Sequence, residues 1–554
     1  MYNKYIKYKK KYLELKKLLG GKHPILKSYE YITYKSALYF SERFNVFSKL
    51  LNPFNLSIIS HETYFIGSVR LQDISTYYYF DIEGEVSIKK FIDHKDKDKL
   101  KFTGEENETD LISHDELIVP GNKSFCKQKD LQGNFKDLDP PYNLSKGSHF
   151  LWNNWNLGKS KSQTRLIKIE MKDDKYITTN IEIDIKDEHW NIIKLRKIDF
   201  LESKKIIINH FYNTLDMRLM RYKDDIIIAY GHDQSIIFKL EYDDTNNKMY
   251  IIDCLNYYRM KGNNLTLITF DKKSITYIDW FYKDGIKIIT RTIGKRPETT
   301  YNFSRYVDTV NDIVTLIEKK DGFSGSGLCD KIIKEEKKPE KDEIAYPLFS
   351  LSTPLLILTD DENITTRLGV GHVKIKNMKT CEYKSNSKLD NFRTSLHETM
   401  YSIYNDKYKV HLGSYSSTAY IDSPNAEYEC NGYIYMMYFY YLIYNKSEKK
   451  YTFSMSDAFL PLNVNEKEKE KYKFSLFFPA GLTMKDNDIY VSGGEGDYYS
   501  IIMKFDIEWV KSKIIYDYQT LDIAKYSYYC LVYKDNKTHI IEDPKELADI
   551  ISTK

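Results

Sequence analysis

Cysteine is scarce. The chain of 554 residues holds six, at 126, 254, 329, 381, 430 and 530, with no CxxC pair and no Cys–His ligand spacing. That argues against a zinc site and a dense disulfide framework, and fits reduced thiols in a cytosol-like compartment. Long apolar runs are missing as well. The aromatic stretch GYIYMMYFYYLIY at 432–444 is too short to span a bilayer as a helix and reads as a buried strand. The N-terminus lacks the apolar core and small-residue cleavage site of a secretory signal. An excess of one charge is absent too. Lys plus Arg come to 83 and Asp plus Glu to 79, a formal net charge of +4, and the aromatics are not interleaved with a basic patch. No nucleic-acid partner is expected. DGFSGSGLCDK (321–331) is glycine-rich but lacks the Gly-Lys-Ser/Thr of a phosphate loop, and GxSxG, HExxH and EF-hand patterns do not occur. No cofactor and no metal are expected.

What is abundant is tyrosine, fifty residues, together with Lys, Ile and Asn. These amino acids share A/T-rich codons, so base bias explains the enrichment best. Tyrosine also suits half-buried strands.

Residues 1–22, MYNKYIKYKKKYLELKKLLGGK, form a separate leader. Tyr2, Tyr5, Tyr8, Tyr12, Leu15 and Leu19 share one helical stripe, lysines fill the other faces, and Gly20-Gly21 ends the helix. Such a basic amphipathic helix either binds an acidic or membrane-surface partner or docks on its own domain. Helical spacing also predicts helices over 34–50, 303–319 and 388–405. A last helix is predicted over 543–551, capped by Asp543 with Pro544 in its first turn.

Elsewhere the text is β: short alternating strands joined by Lys/Asp/Asn/Gly turns. Five hairpins share one design, a polar segment leading into strand, turn and strand. Asn55–Ile58 leads to His61-Glu62 and TYFIGSVR. Asp216-Met217-Arg218 leads to Asp224-Asp225 and IIIAYGHD. Tyr277–Trp280 leads to Lys283-Asp284-Gly285 and IKIITRT. Ser352–Leu355 leads to Asp360-Asp361-Glu362 and RLGVGHVK. Phe478–Leu482 leads to KDNDIYVSGGEGD. Recurrent units of this kind predict a mainly β fold, a five-bladed β-propeller-like domain with helical insertions, in which the opening polar residues converge on a central channel. The expected organisation is the leader at 1–22, the propeller-like domain at 23–540 and a C-terminal helix at 541–554. Insertions fall at about 92–118, 303–343, 380–410 and 463–473.

The order of these units resembles that of the five-bladed inverting β-mannoside phosphorylases and β-mannosyltransferases. Asp-Met-Arg-Leu followed by DDIIIAYG resembles that family's Glu-Asp-Pro-Arg motif, with Leu215 and Met217 standing where the family has Glu and Pro. STPLLIL…RLGVGHVKI resembles its segment leading to a rim histidine, and FFPAGLTMKDNDIYVSGGEGD its last-blade hairpin. The resemblance implies a carbohydrate-active protein, a glycosyltransferase or inverting glycoside phosphorylase acting on mannose-like sugars, with a sugar or sugar-phosphate substrate. It also implies that Asp216 is the acid/base. An inverting reaction needs a proton donor at the bridging oxygen and an oxygen nucleophile on the opposite face.

On an extended strand Asp216 and Arg218 share a face, so Arg218 either holds the catalytic carboxylate or simply pairs with it structurally. An Arg beside the carboxylate favours its charged form, so burial must win for an acid role. His372, between glycines that permit close approach, either donates to a phosphate or sugar oxygen or is a satisfied strand-end histidine. Asp279 beside Trp280 is either a sugar-binding pair or a buried strand tryptophan with its neighbour. Trp152 and Trp155 form another aromatic cluster. Lys374, Arg291 and Arg296 are candidate phosphate ligands. Glu495 and Asp497, in a glycine-rich turn, either rim the site or only form the turn.

The leader is similar to the opening segment of many proteins from mimivirus-type giant viruses. That implies a viral protein located in the virion or the host cytoplasm (the viral factory). A non-enzymatic virion or interaction protein on a propeller scaffold is the alternative to an enzyme.

Overall fold

The computed structural model describes residues 25–32, 38–41, 46–74, 127–129, 135–137, 161–173, 175–186, 216–223, 226–231, 236–256, 266–271, 273–282, 285–294, 305–318, 348–375, 434–465, 477–495, 499–522 and 525–552. It also describes single positions between 204 and 214 and between 391 and 399. The leader at 1–22, the insertion at 92–118, Trp152, Trp155, Arg296 and Asp497 lie outside the described residues, as do the side chains of Asp279, Trp280 and Lys374.

The fold is mainly β. In chain order come β1 (Leu26–Ile32), β2 (Leu38–Ser41), β3 (Val46–His61) and β4 (Tyr64–Ile74), then the small hairpin β5 (Lys127–Lys129) and β6 (Phe135–Asp137), and then β7 (Lys161–Lys172) and β8 (Lys175–Ile185). The middle of the chain supplies β9 (Arg218–Lys223), β10 (Ile226–Tyr230), β11 (Ile236–Asp243), β12 (Lys248–Asn256), β13 (Thr266–Phe270), β14 (Ser274–Tyr282), β15 (Gly285–Gly294) and β16 (Arg305–Glu318). There follow β17 (Leu348–Leu351), β18 (Leu356–Asp360), β19 (Ile364–Ile375), β20 (Ile434–Asn445), β21 (Lys450–Met455), β22 (Ala458–Asn463), β23 (Phe477–Lys485), β24 (Asp488–Glu495) and β25 (Tyr499–Asp506). The chain closes with helix α1 (Ile507–Lys513), β26 (Tyr516–Asp517), β27 (Tyr528–Lys534), β28 (Lys537–Ile541) and helix α2 (Leu547–Ser552).

Antiparallel pairing sorts the strands into groups: β3–β4–β7–β8; β9–β10–β11–β12; β13–β14–β15–β16; β17 and β18 end to end along β19, then β20 and β21; and β23–β24–β25, completed by β1 from the other end of the chain. The turns have the chemistry these hairpins need. Asp486-Asn487 between β23 and β24, and Asp535-Asn536 between β27 and β28, have positive φ at both positions. A two-residue loop must twist that way to match the strands, and Asp and Asn tolerate it.

Strands such as β10 and β24 are buried on both faces, which is why the sequence shows apolar runs such as IIIAY there rather than polar alternation. Successive residues serve different cores. Ile58 faces a core shared with Tyr490 and Ile502, whereas Ile59 faces one shared with Leu219 and Ile227. Ile228 then joins Leu267 and Tyr277, Ile278 joins Phe349 and Tyr438, and Met437 joins Phe477, Val491 and Ile501. Ile502, next to Ile501, returns to the core of Ile58. Among the described residues, each of these five cores draws on two of the groups, and the last group shares a core with the first.

Two helix expectations are corrected. Within 303–319, Arg305–Glu318 form β16, which pairs with β15 over Glu318 to Tyr306. Its valines, isoleucines and threonines are good strand formers, and the pairing overrides the i, i+3, i+4 coincidence. Residues 34–50 contribute β2 and the start of β3, not a helix. Within 388–405, positions 391, 392, 395, 396 and 399 are helical. At the C-terminus Asp543 accepts from the Lys545 N–H and Pro544 opens a 3-10 turn that runs into α2.

Candidate functional site

Each of the five hairpins expected from sequence is present, as β3–β4, β9–β10, β14–β15, β18–β19 and β23–β24. Side-chain hydroxyls lace the neighbouring groups together where their inner strands meet. Ser57 Oγ accepts from the Leu219 N–H (3.1 Å), and Ser68 Oγ donates to the Met217 carbonyl (2.6 Å). Ser492 Oγ accepts from the Ile58 N–H (3.1 Å), and Thr483 Oγ1 from the Ser60 N–H (3.0 Å). Strands from different groups do not share a backbone ladder at these places, so short hydroxyl side chains satisfy the buried donors and acceptors.

At the head of β9 stands Asp216. It does not continue the strand: its φ is +47° and it occupies a turn. The expected shared strand face with Arg218 is thereby corrected. The carboxylate is instead held from the neighbouring group. Asn55 Nδ2 donates to Oδ1 at 2.7 Å, and Arg70 Nη1 lies 3.2 Å from Oδ1 and 3.3 Å from Oδ2. The Arg70 and Asp216 side chains are 12% and 13% exposed, so the ion pair is largely but not wholly withdrawn from water. Asn55 also has positive φ, +52°. Two facing polar residues in the left-handed region, bonded to each other, mark a backbone that the surrounding packing holds in place.

Gly494 makes room for this arrangement. A Cβ there would lie 2.4 Å from Asn55 Oδ1 and 2.9 Å from the Asn55 nitrogen, so only glycine lets β24 press against Asn55. Its partner across the hairpin is Phe478. The Phe478 ring lies between two candidate residues: the Arg218 guanidinium is 5.9 Å from its centroid and the His372 ring 5.2 Å. The structure thus brings Asp216, Arg218 and His372 into one neighbourhood, through Asn55, Gly494 and Phe478.

Their settings differ from expectation. Arg218 is 1% exposed and lies opposite Tyr230 on β10. Tyr230, Thr266 and Tyr440 are buried like Arg218; burial pushes the Tyr440 phenol up and Tyr230 adds to this, while Thr266 and Arg218 oppose it. His372 is fully buried; its Nδ1 is 2.5 Å from Ser352 Oγ and its ring stacks on Tyr435 at 5.1 Å. The glycines beside it do not open space for a ligand. A Cβ on Gly369 would meet Tyr440 Cζ at 2.2 Å, and one on Gly371 would meet Tyr438 Cζ at 2.3 Å, so both accommodate tyrosine rings crossing from β20.

Glu495 is the last residue of β24, not part of an open loop. It is buried and accepts from Tyr31 Oη at 2.8 Å and Tyr29 Oη at 3.3 Å. Asp279 and Trp280 lie on β14, Lys374 on β19 and Arg291 on β15, where the Arg291 guanidinium lies 5.6 Å from the Tyr277 ring centroid.

No protein-family model matches the chain, and no curated protein matches it significantly. Among solved structures it is similar to a β-1,2-mannobiose phosphorylase from Listeria innocua, at 8% identity and a TM-score of 0.33, covering 84% of this chain and 93% of that one. It is similar to a glycosyl hydrolase from Bacteroides ovatus, at 8% identity and a TM-score of 0.34 over 87% and 95% of the two chains. A third is a mannose phosphorylase from Leishmania mexicana solved with phosphate, at 9% identity and a TM-score of 0.28 over 89% and 94%.

Sequence reasoning placed Asn55 at the head of a hairpin but gave it no role, and it passed over Arg70. The polar residue opening a strand before an apolar run was the available signal for Asn55. Arg70 carried none, because its meaning depends on a partner 146 positions away.

Proposed function

We propose that this chain is a carbohydrate-active protein on a five-bladed propeller, a glycosyltransferase or glycoside phosphorylase acting on mannose-like sugars at Asp216. The observation that carries the proposal is the Asn55–Asp216–Arg70 constellation, with Asn55 Nδ2 at 2.7 Å and Arg70 Nη1 at 3.2 Å from one carboxylate oxygen. The circuit of five cores supports the propeller. A carboxylate, a carboxamide and a guanidinium, fixed to one another and largely but not wholly withdrawn from water, offer the mixture of acceptors and donors that a polyhydroxylated ring needs. The half-buried Phe478 provides an aromatic wall nearby for its C–H face. In this reading Asp216 exchanges the proton of the glycosidic step, directly or through a sugar hydroxyl, while Asn55 and Arg70 fix its direction. Arg218 and His372 pack against Phe478.

The test is incubation of the full chain with β-1,2-mannobiose and inorganic phosphate, with anomeric protons followed by NMR. Wild type should consume the disaccharide, and Asp216→Asn should be slower by about 10²–10⁴-fold, the usual worth of a general acid–base group. Equal turnover by both would remove Asp216 from the mechanism.

A second reading, a sugar-binding interaction protein without turnover, is favoured by one observation: His372, the expected rim donor, is buried against Ser352 and Tyr435. It predicts saccharide binding by calorimetry with no product.

A further inference from the structure

The buried Glu495 carboxylate takes no part in the steps proposed above, yet two phenols from the opposite end of the chain hold it. Tyr29 and Tyr31 sit on one face of β1, their rings 5.7 Å apart, opposite Met503 and Ile501 of β25. They reach past β25 to the last residue of β24, where Tyr31 Oη donates at 2.8 Å and Tyr29 Oη at 3.3 Å. The residue before Glu495 is Gly494, which meets Asn55 more closely than any side chain would allow. Asn55 in turn donates to Asp216 at 2.7 Å. An unbroken series of contacts therefore runs from β1 to the Asp216 carboxylate.

We infer that Tyr29 and Tyr31 are positioning residues for the Asp216 site, acting through Glu495 and the contact between Gly494 and Asn55. A buried carboxylate that loses two phenol donors draws toward water and takes its backbone with it. Gly494 is bonded to that backbone and has no slack against Asn55. Asn55 itself is held at φ +52°, so a shift in β24 reaches its amide directly. Lys27, on the same strand, grips the other end of β24 through Asp488 at 2.6 Å. That provides an internal control: β1 can be loosened there without touching Glu495.

The experiment uses the full chain with ¹⁵N-labelled asparagine, the Asn55 side-chain amide being assigned by its loss in Asn55→Ala. In Tyr29→Phe/Tyr31→Phe this resonance should move and its hydrogen exchange quicken about tenfold, as for loss of a hydrogen bond to a charged group. The affinity for β-1,2-mannobiose should fall about three- to tenfold, a ligand readout that rests on the function proposed above. Glu495→Gln, whose amide oxygen still accepts from the phenols, should retain most of the wild-type behaviour. Lys27→Met should lower the melting temperature and leave the Asn55 resonance in place. An unmoved Asn55 amide in the folded double variant, or an equal movement in Lys27→Met, overturns the inference. If the double variant does not fold, Tyr31→Phe decides by the same criteria. If wild type takes up no mannobiose, the proposed function fails, and the amide resonance still decides the positioning role.

Discussion

Replacing Gly494 by alanine puts a methyl group where Asn55 stands. The new carbon would lie 2.4 Å from Asn55 Oδ1 and 2.9 Å from its backbone nitrogen. Carbon–oxygen contacts rarely fall below about 3.3 Å, so roughly an ångström must be found. The side-chain oxygen can swing away, but only by withdrawing the amide from Asp216; the backbone nitrogen cannot move without disturbing β3. Overpacking of this kind costs about 1–3 kcal/mol. Loss of the Asn55–Asp216 hydrogen bond, which has a charged acceptor, adds about 1.5–3 kcal/mol. The variant should therefore be destabilised by about 2.5–6 kcal/mol in urea unfolding and should lose most of its mannobiose affinity. Asn55→Gly separates the two terms. Glycine tolerates the positive φ at 55, and it removes the oxygen that the methyl group strikes. In that background Gly494→Ala should cost only the smaller, backbone part, so the double-mutant cycle should show a coupling of at least the hydrogen-bond term, about 1.5–3 kcal/mol. A Gly494→Ala protein within about 0.5 kcal/mol of wild type, the range of an ordinary surface change, would refute the reasoning. So would costs that simply add.

Further outcomes follow from the same geometry. Gly371→Ala places a carbon 2.3 Å from Tyr438 Cζ and 2.6 Å from the Ser350 carbonyl oxygen, and should lower stability by about 1–3 kcal/mol, seen as an earlier urea midpoint. Arg367 is buried, with Nε and Nη1 lacking hydrogen-bond partners among the described residues, and burial lowers its pKa. Arg367→Met should therefore raise stability by about 1–3 kcal/mol, and a loss of that size would show that the guanidinium is needed there. Burial raises the Asp506 carboxyl, but the Trp509 N–H and Lys27 outweigh it, so the group lies below its ordinary 3.8. A depressed carboxyl contributes its stability above that ordinary value and loses it as pH falls through the lower folded value. The melting temperature should drop below about pH 4, and Asp506→Asn should make that drop shallower. An identical acid limb in the variant would contradict this assignment.

The hairpins were legible because their turns and strands carry local signals. Asp486-Asn487 at a two-residue loop and the apolar runs on either side point to the same element, and no distant partner is needed to read them. The strand β16 was not legible in this way. Phe303, Val307, Val310, Val314 and Ile317 satisfy helical spacing, and only the pairing of Ile317 with Ile286 and its neighbours decides for a strand. The glycines of RLGVGHVK were visible, but their purpose was not. They accommodate Tyr438 and Tyr440 on a strand some 70 positions later, as the register of Gly371 with Tyr438 makes plain. Asp216 could be picked out beside an arginine, but its pairing with Arg70 could not, because the backbone at φ +47° leaves the strand geometry and that partner stands 146 positions away. Side-chain alternation along a strand predicts faces only while the backbone stays extended.

The most direct measurement is a crystal structure of the full chain soaked with β-1,2-mannobiose. The account predicts a sugar ring whose hydroxyls lie within hydrogen-bonding distance of the Asp216 carboxylate, the Asn55 amide and the Arg70 guanidinium, with Phe478 alongside. A saccharide bound elsewhere, with no sugar hydroxyl on the Asp216 carboxylate, would contradict it.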